Sequence, residues 1–285
     1  MKYTGFLLVF ISAASFGFMP VFASFAYKNH VSVPVLLLFR FLIAAVFLNI
    51  YVLAKGHKYP RGKTLVTLIL MGGIGYATQS FLYFSALTFI SASLTAILLY
   101  LYPSIVLVLS AFLLKTRIKK LEIAALVMAT IGAVLVIGIK FEHINYIGII
   151  FGVGAAFVYS IYIIVGAKAM KGIDSIVGTS IIVSSASFTY LLYNISTHAS
   201  MPTAFNQWIW IFALAIVSGI MAIVTFFAGM KIVGPVKASM ISTFEPVVTV
   251  YLSYLILDDT INIYQISGAV LIIAAALILA QEGKT

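Results

Sequence analysis

The chain is poor in charge. Only 8% of its 285 residues are charged, and seven of them are acidic, whereas about a quarter of the residues are charged in a soluble domain. Hydrophobic residues make up 63% of the chain, and no polar stretch is longer than roughly a dozen residues. A soluble fold of this length could not hide so much apolar surface, so the composition predicts an all-α integral membrane protein.

Cysteine is absent, which excludes disulfides and thiolate metal sites. The four histidines fall in predicted loops and lack the spacing of a metal site, and the chain contains no phosphate-binding G-x-x-x-x-G-K-[ST] loop. We therefore expect no metal, no cofactor and no direct coupling to ATP. Because the predicted spans contain one clear acid and no His or Cys, we also expect that the protein is not an enzyme.

Ten segments are long and apolar enough to cross a bilayer, which takes about 20 residues. Short connections with charged and turn-forming residues separate most of them, as at Lys28-Asn29-His30 and Asp258-Asp259. The predicted spans are 4–27, 33–54, 64–87, 91–114, 120–139, 146–166, 175–195, 207–230, 236–256 and 262–281.

The basic residues of the connections predict the orientation of the chain. With both termini in the cytoplasm, fourteen of the 17 Lys and Arg lie on the cytoplasmic side, and only Lys28 and Lys140 lie outside. Because cytoplasmic loops are enriched in Lys and Arg, we expect a multi-pass protein of the cell membrane with cytoplasmic N- and C-termini. The net charge of +10 then reflects orientation and contact with anionic lipid. It does not indicate nucleic-acid binding, because no soluble basic surface exists to carry it.

The two halves of the chain resemble each other at an offset of about 143 positions. Without a gap, the offset matches Gly5 to Gly148 and Pro103 to Pro246, among other identities. Each half contains five spans, an odd number, so the second copy must be inverted relative to the first. The sequence therefore predicts two inverted-topology repeats, 1–140 and 141–285, the organisation typical of secondary transporters.

Three segments carry a resemblance to a known family. They are Leu38-Phe39-Arg40-Phe41, the stretch from Ala86-Leu87 to Pro103, and the stretch from Gly229-Met230 to Phe244-Glu245-Pro246. With the ten spans and the repeat, the chain resembles the EamA type of the drug/metabolite transporter superfamily. The resemblance implies a ten-helix basket whose central cavity is lined by the first, third, fourth, sixth, eighth and ninth helices. It also implies transport of amino acids and related small metabolites, mostly as export.

Two charged residues, Arg40 and Glu245, lie well inside predicted spans. A charge at mid-membrane costs at least about 2.5–3.5 kcal/mol and is normally paired or faces a cavity. Arg40 is either a helix-pinning arginine or a partner for a substrate carboxylate. Glu245 is either part of an ion pair, for example with Arg40, or the site that couples transport to a proton or another cation. The repeat places Val183 and Tyr102 at the equivalent positions, so both charges break the symmetry.

Polar and aromatic residues inside the spans complete the predicted substrate site. Gln79 and Tyr83 share one face of the third span with Tyr76, and an amide between phenols suits a cavity wall better than acyl chains. Pro103 and Pro246 occupy equivalent places and predict bent helices of the kind from which such sites are built. The predicted substrate-binding residues are Arg40, Gln79, Tyr83, Tyr100, Tyr102, Tyr159, Ser242 and Glu245.

These residues favour a secondary transporter of small organic metabolites, an exporter working by alternating access, with Glu245 as the coupling residue. The alternatives are a flippase for lipids or polyprenyl carriers, which would need a cavity open sideways to the bilayer, and a passive channel. The expected partners are the solute and the bilayer. One chain can enclose a pathway alone, so we expect a functional monomer. The small-residue ridge Gly148, Gly152, Ala156 and Ser160 predicts close helix packing within the chain, or a dimer seam.

Overall fold

The computed structural model describes residues 2–86, 89–90, 92–138, 145–257 and 261–281, and within them it contains ten helices that are long and apolar enough to cross a membrane. No strand occurs in these ranges. The predicted turn at Asp258-Asp259, and Lys140, Lys284 and Leu87, lie outside them. The helices are α1 (Tyr3–Lys28), α2 (Val33–Ala54), α3 (Lys63–Ala86), α4 (Leu94–Leu113), α5 (Lys120–Ile137), α6 (Tyr146–Ala169), α7 (Ser175–Ser196), α8 (Phe205–Val233), α9 (Pro235–Ile256) and α10 (Ile263–Ala280).

The ten-helix membrane fold predicted from composition and apolar runs is confirmed. No helix end differs from its predicted position by more than about three residues. Large apolar side chains remain exposed on the outside of the bundle, for example Phe112 at 77% and Val270 at 61%. In water such a surface would be unfavourable, but lipid is the solvent that it requires.

Irregular backbone recurs at equivalent places in the two halves. In α3 the segment Met71–Tyr76 is π-helical, and in α8 the segment Ala215–Met221 is π-helical at nearly the repeat offset. The fourth helix is interrupted between Leu99 and Tyr102, just before Pro103, and α9 contains a 3₁₀ turn at Ser242–Phe244, just before Pro246. A proline cannot donate the helical hydrogen bond and crowds the preceding turn, so the predicted bends are confirmed.

One break has no counterpart in the second half. The first helix consists of two segments, Lys2–Gly17 and Met19–Lys28, separated at Phe18 and followed by Pro20. Its repeat equivalent α6 is continuous from Tyr146 to Ala169, and Ile163 stands where the first half has Pro20. The first half therefore contributes an additional bent helix to the centre of the bundle.

The most extensive contacts join one helix of each half. They form the pairs α5 with α10, α2 with α7, α1 with α8 and α3 with α6, and the repeat maps this set of pairs onto itself. The α5–α10 pair crosses at two glycines, where a Cβ atom on Gly132 would lie 2.7 Å from the carbonyl oxygen of Gly268. The two halves thus contact each other through four pairs of helices, as expected for inverted repeats around a shared axis.

The small-residue ridge of α6 packs inside the chain. A Cβ atom on Gly152 would lie 2.7 Å from Leu98 of α4, and Ala156 is fully buried. The hydroxyl of Ser160 donates to the carbonyl of Tyr102, also in α4, at 3.2 Å. The predicted close approach is therefore made by α4, which brings the α4 break against α6.

Candidate functional site

A central cavity of about 510 Å³ lies between the two halves. Its walls come from bent or irregular stretches of α1, α3, α4 and α9, together with single residues of α2, α5 and α6. It is lined by Phe16, Met19, Pro20, Arg40, Tyr76, Gln79, Ser80, Tyr83, Phe84, Ala96, Leu99, Tyr100, Tyr102, Ile137, Tyr159, Glu245, Pro246, Thr249, Val250 and Ser253.

Seven of the eight residues predicted to bind substrate line this cavity: Arg40, Gln79, Tyr83, Tyr100, Tyr102, Tyr159 and Glu245. They come from five helices, so the fold brings together what the sequence scatters over about 200 positions. Binding of a solute by these side chains remains a prediction. The side chains do line one cavity, which therefore contains a carboxyl group, a guanidinium group, an amide and four phenols.

Ser242 does not line the cavity. It is buried, and its hydroxyl donates to the carbonyl of Ala238 in its own helix at 3.0 Å. The sequence places Ser242 on one face with Glu245 and Thr249 by regular helical spacing, and a 3₁₀ turn, Ser242–Phe244, begins at this residue. The hydroxyl of Ser242 is thus bonded within α9, whereas Glu245 and Thr249 face the cavity.

Arg40 joins three helices. Its side chain is only 3% exposed, and its Nη2 donates to the carbonyl of Ser218 in α8 at 2.8 Å and to the hydroxyl of Tyr76 in α3 at 3.3 Å. Both acceptors belong to the two π-helical segments. The Nε of Arg40 is buried without a hydrogen-bond partner.

Glu245 begins the helical segment that follows the 3₁₀ turn of α9. The hydroxyl of Tyr100, at the α4 break, lies close enough to its carboxylate to interact with it. Both residues therefore sit where the backbone of their helix is interrupted, and each half contributes one of them. Thr249, one turn further along α9, donates to the carbonyl of Gly17 at 3.0 Å, which ties this wall to the break in α1.

Arg40 and Glu245 do not form an ion pair. Among the residues that the structure describes, no contact within 4.0 Å joins their charged atoms, although both line the same cavity. The structural pairing considered from the sequence is therefore not what holds either charge in place. Arg40 donates to acceptors on α3 and α8, Glu245 interacts with Tyr100, and both charged residues line the same cavity.

Aromatic rings close the cavity on the side toward the chain termini. Tyr102 meets Tyr159 edge to face at 4.8 Å, and Tyr159 stacks on Tyr162 at 6.0 Å. Tyr162 stacks in turn on Tyr76 at 5.3 Å and contacts Phe227 at 5.8 Å. This aromatic floor joins α3, α4, α6 and α8, two helices from each half.

Two features of the wall differ from the expectation that the family resemblance implies. No residue of α8 lines the cavity in the described part of the chain, whereas Arg40 of α2 and Ile137 of α5 do. The eighth helix reaches the site through the main-chain carbonyl of Ser218 and, at the aromatic floor, through Phe227.

Ser80 and Phe84 also line the cavity but were not predicted from the sequence. They follow Tyr76 at helical spacing, which is the signal that could have found them.

The sequence of the chain matches the profile of a known protein family. The profile described as the EamA-like transporter family matches the chain twice, at residues 3–138 and 146–281. The chain belongs to the EamA-like transporter family. It is thus a multi-pass membrane protein of a transporter family, and each match covers five of the ten helices.

Individual relatives agree with this assignment. The uncharacterized transporter YyaM of Bacillus subtilis is 27% identical over 83% of this chain and 80% of its own length. The uncharacterized inner membrane transporter YhbE of Escherichia coli is 24% identical over 96% of this chain and 90% of its own. A solved crystal structure of another protein, 20% identical, superposes with a TM-score of 0.85 over 96% of this chain and 97% of that one, and it supports the fold.

Proposed function

We propose that this EamA-family member is an exporter of small polar organic solutes, most simply amino acids or related metabolites, which bind in the central cavity. The observation that carries the proposal is the pair of separate, opposite charges at Arg40 and Glu245 on the walls of one cavity. A cavity of about 510 Å³ is within the range of small-molecule sites.

The two charges suit a solute that itself carries two charges. Arg40 lines the cavity with a guanidinium, a group whose planar array of donors matches a carboxylate. Glu245 and Tyr100 supply acceptor oxygens for an ammonium group on the opposite wall. The phenol and phenyl rings between them provide apolar faces for a side chain, so the site would recognise an amphipathic amino acid by its two ends.

Alternating access follows from the arrangement of the backbone breaks. The bends of α4 and α9 are equivalent in the repeat and both border the cavity. The aromatic floor separates the cavity from the end of the bundle that holds the termini. Exchange of conformation between the two halves would open that end and close the other. With the termini in the cytoplasm of the cell, as the basic loops predict, the present cavity lies on the outer side.

Glu245 is our proposed coupling residue. It is an acid at mid-membrane that is not paired with a cation, and it lies beside the proposed solute position. Protonation of its carboxylate would remove the negative charge that holds an ammonium group and would release the solute. The proton and the solute would then compete for the two carboxylate oxygens of Glu245, and this competition would link the proton gradient to transport.

The test is counterflow and gradient-driven transport in proteoliposomes. Vesicles loaded with unlabelled amino acids should accumulate the labelled solute, and an imposed pH gradient should drive net movement. Glu245→Gln lacks the negative charge that holds the ammonium group, so it should lose the gradient-driven component and show weakened exchange. Glu122→Gln, which changes a half-buried acid at the start of α5 and outside the cavity, should behave as the unmodified protein.

Two outcomes would count against the proposal. Absence of exchange with any amino acid, amine or related metabolite, together with movement of a labelled phospholipid, would favour the flippase alternative. Unchanged gradient-driven transport by Glu245→Gln would remove Glu245 as the coupling residue. A thermal-shift screen against the same solutes gives an independent measurement of binding, because a ligand stabilises the folded state by mass action.

A further inference from the structure

A second cavity, about 580 Å³ in volume, lies at the end of the bundle that holds the termini. It is separate from the central cavity and shares no lining residue with it. Its walls are the end of α4, the end of α6 with the turn that follows, and the junction of α8 with α9. We call it the basic cleft, because four of its twelve lining residues are Lys115, Lys168, Lys171 and Lys231.

The positive charge of the basic cleft is not balanced by the protein. No acidic residue lines it, and within the described residues none of its four lysines has a carboxylate within 4.0 Å. Asp174 interacts with Lys231 over a longer distance, but its carboxylate already accepts a hydrogen bond from the backbone N–H of Ile176 as the cap of α7. Four like charges around one cleft repel each other, and an anion would relieve that repulsion.

Two of these lysines are held in place with donors to spare. The Nζ of Lys168 donates to the carbonyl of Leu113 at 3.3 Å, and the Nζ of Lys231 donates to the carbonyl of Ile173 at 2.8 Å. An ammonium group has three N–H donors, so each of the two keeps donors for a further acceptor. Their anchoring fixes the positive charge at the cleft instead of leaving it on free side chains.

Two glycines and one lysine that line the cleft adopt positive φ angles. Gly172 and Gly234 line it with φ of 72° and 85°, and a Cβ atom on either would meet nothing within 4 Å. Lys115 adopts φ of 54°, a left-handed conformation that is rare for residues other than glycine, asparagine and aspartate. The turn that bears Lys115 thus holds an uncommon conformation at the rim of the cleft.

The cleft borders the lipid-facing surface. Leu113 lines it and is 54% exposed, and the neighbouring Phe112 is 77% exposed. An anion with attached acyl chains could therefore place its charge among the lysines and its chains along α4. This juxtaposition distinguishes the basic cleft from lysines that only face water.

We propose that the basic cleft binds the phosphate group of an anionic phospholipid, whose acyl chains lie against the exposed end of α4. The phosphate bridges lysines of the first half, at Lys115, and of the second half, at Lys168, Lys171 and Lys231. The lipid therefore connects the two repeats at the end of the bundle where the central cavity is closed.

The experiment compares two variants with the same change of charge. The cleft variant carries Lys→Gln at positions 115, 168, 171 and 231. The control carries Gln in place of Lys55, Lys58 and Arg61, which follow α2, and of Lys63, the first residue of α3; all four are exposed basic residues at the same end of the bundle. The purified full chain, in neutral detergent, is titrated with phosphatidylglycerol or phosphatidylcholine, and native mass spectrometry measures the affinity of the first bound lipid. Elution as a single symmetric species from gel filtration checks that both variants are folded.

The unmodified chain and the control variant should prefer phosphatidylglycerol, and the cleft variant should lose that preference. A lysine near an anionic lipid surface contributes about fivefold in affinity, so the four together should contribute at least about a hundredfold. Equal loss in both variants, or no loss in the cleft variant, would overturn the proposal. A different result would also overturn it: inorganic phosphate stabilises the unmodified chain against heat but not the cleft variant, and neither prefers one lipid. That result would favour a soluble phosphate ligand.

Discussion

Replacement of Arg40 by methionine separates a structural role of this side chain from a role in transport. Methionine is unbranched and of similar length, so it can occupy the same buried space, but it has neither the charge nor the donors. In the structure those donors reach Ser218 at 2.8 Å and Tyr76 at 3.3 Å. If Arg40 only pins helices together, then a variant that remains folded should still transport.

The expected change in stability is small because two effects oppose each other. A hydrogen bond from a charged group contributes about 1.5–3 kcal/mol, and the longer bond to Tyr76 should lie at the low end, so the loss is about 3–4 kcal/mol. Removing a charge from mid-membrane returns about 2.5–3.5 kcal/mol. We therefore expect the free energy of unfolding of Arg40→Met to lie within about 1–2 kcal/mol of the unmodified value, by the difference of these two ranges.

Transport, in contrast, should fall to background. The assay is counterflow in proteoliposomes, with reversible unfolding measured on the same preparation. Phe47→Met is the matched control, because Phe47 is on the same helix, 50% exposed and outside the cavity. Transport by Arg40→Met at more than about half the control rate would refute a solute-binding role. A preparation that fails to fold would refute the balance of energies given above.

Two further predictions concern the packing that shapes the cavity. Gly72→Ala should lower the free energy of unfolding by about 1–3 kcal/mol, because a Cβ atom there would clash with the backbone carbonyl of Ile182 in α7. The control Gly73→Ala should be neutral or stabilising by up to about 1 kcal/mol, since the nearest neighbour of its Cβ atom would be 3.4 Å away. If chemical unfolding shows the same change in stability for both variants, the α3–α7 contact is contradicted. Asn194→Ala should lower the free energy of unfolding by about 1 kcal/mol, because it removes the hydrogen bond from Nδ2 to the carbonyl of Pro34 at 3.0 Å. An unchanged unfolding midpoint would argue against that link between α7 and α2.

The membrane crossings could be predicted from the sequence because lipid imposes a simple requirement. Each crossing needs about 20 apolar residues, and charged or turn-forming residues mark most of the connections. The bends of α4 and α9 were also predictable, since Pro103 and Pro246 each remove a helical hydrogen bond. The break at Phe18 follows the same rule through Pro20, a proline that the sequence contained but whose effect was not predicted.

The π-helical segments and the partners of Arg40 could not be predicted in the same way. A π-helical turn inserts about one extra residue, which apolar periodicity cannot reveal in a helix that is apolar on all sides. The strongest bond of Arg40 goes to the main-chain carbonyl of Ser218, 178 positions away. A carbonyl is common to every residue, so no residue type in α8 identifies it as an acceptor. The position of Ser242 outside the cavity was not predictable either, because helical spacing does not reveal that its hydroxyl bonds to the carbonyl of Ala238 in its own helix.

The central claim is that the transported solute occupies the cavity between Arg40 and Glu245. The natural absence of cysteine permits a direct test with single cysteines, at Ser253 in the cavity wall and at Ser196, an exposed position at the end of α7. A solute that exchanges in counterflow should slow maleimide labelling of Ser253→Cys and leave labelling of Ser196→Cys unchanged. Equal labelling of Ser253→Cys with and without saturating solute would contradict the claim.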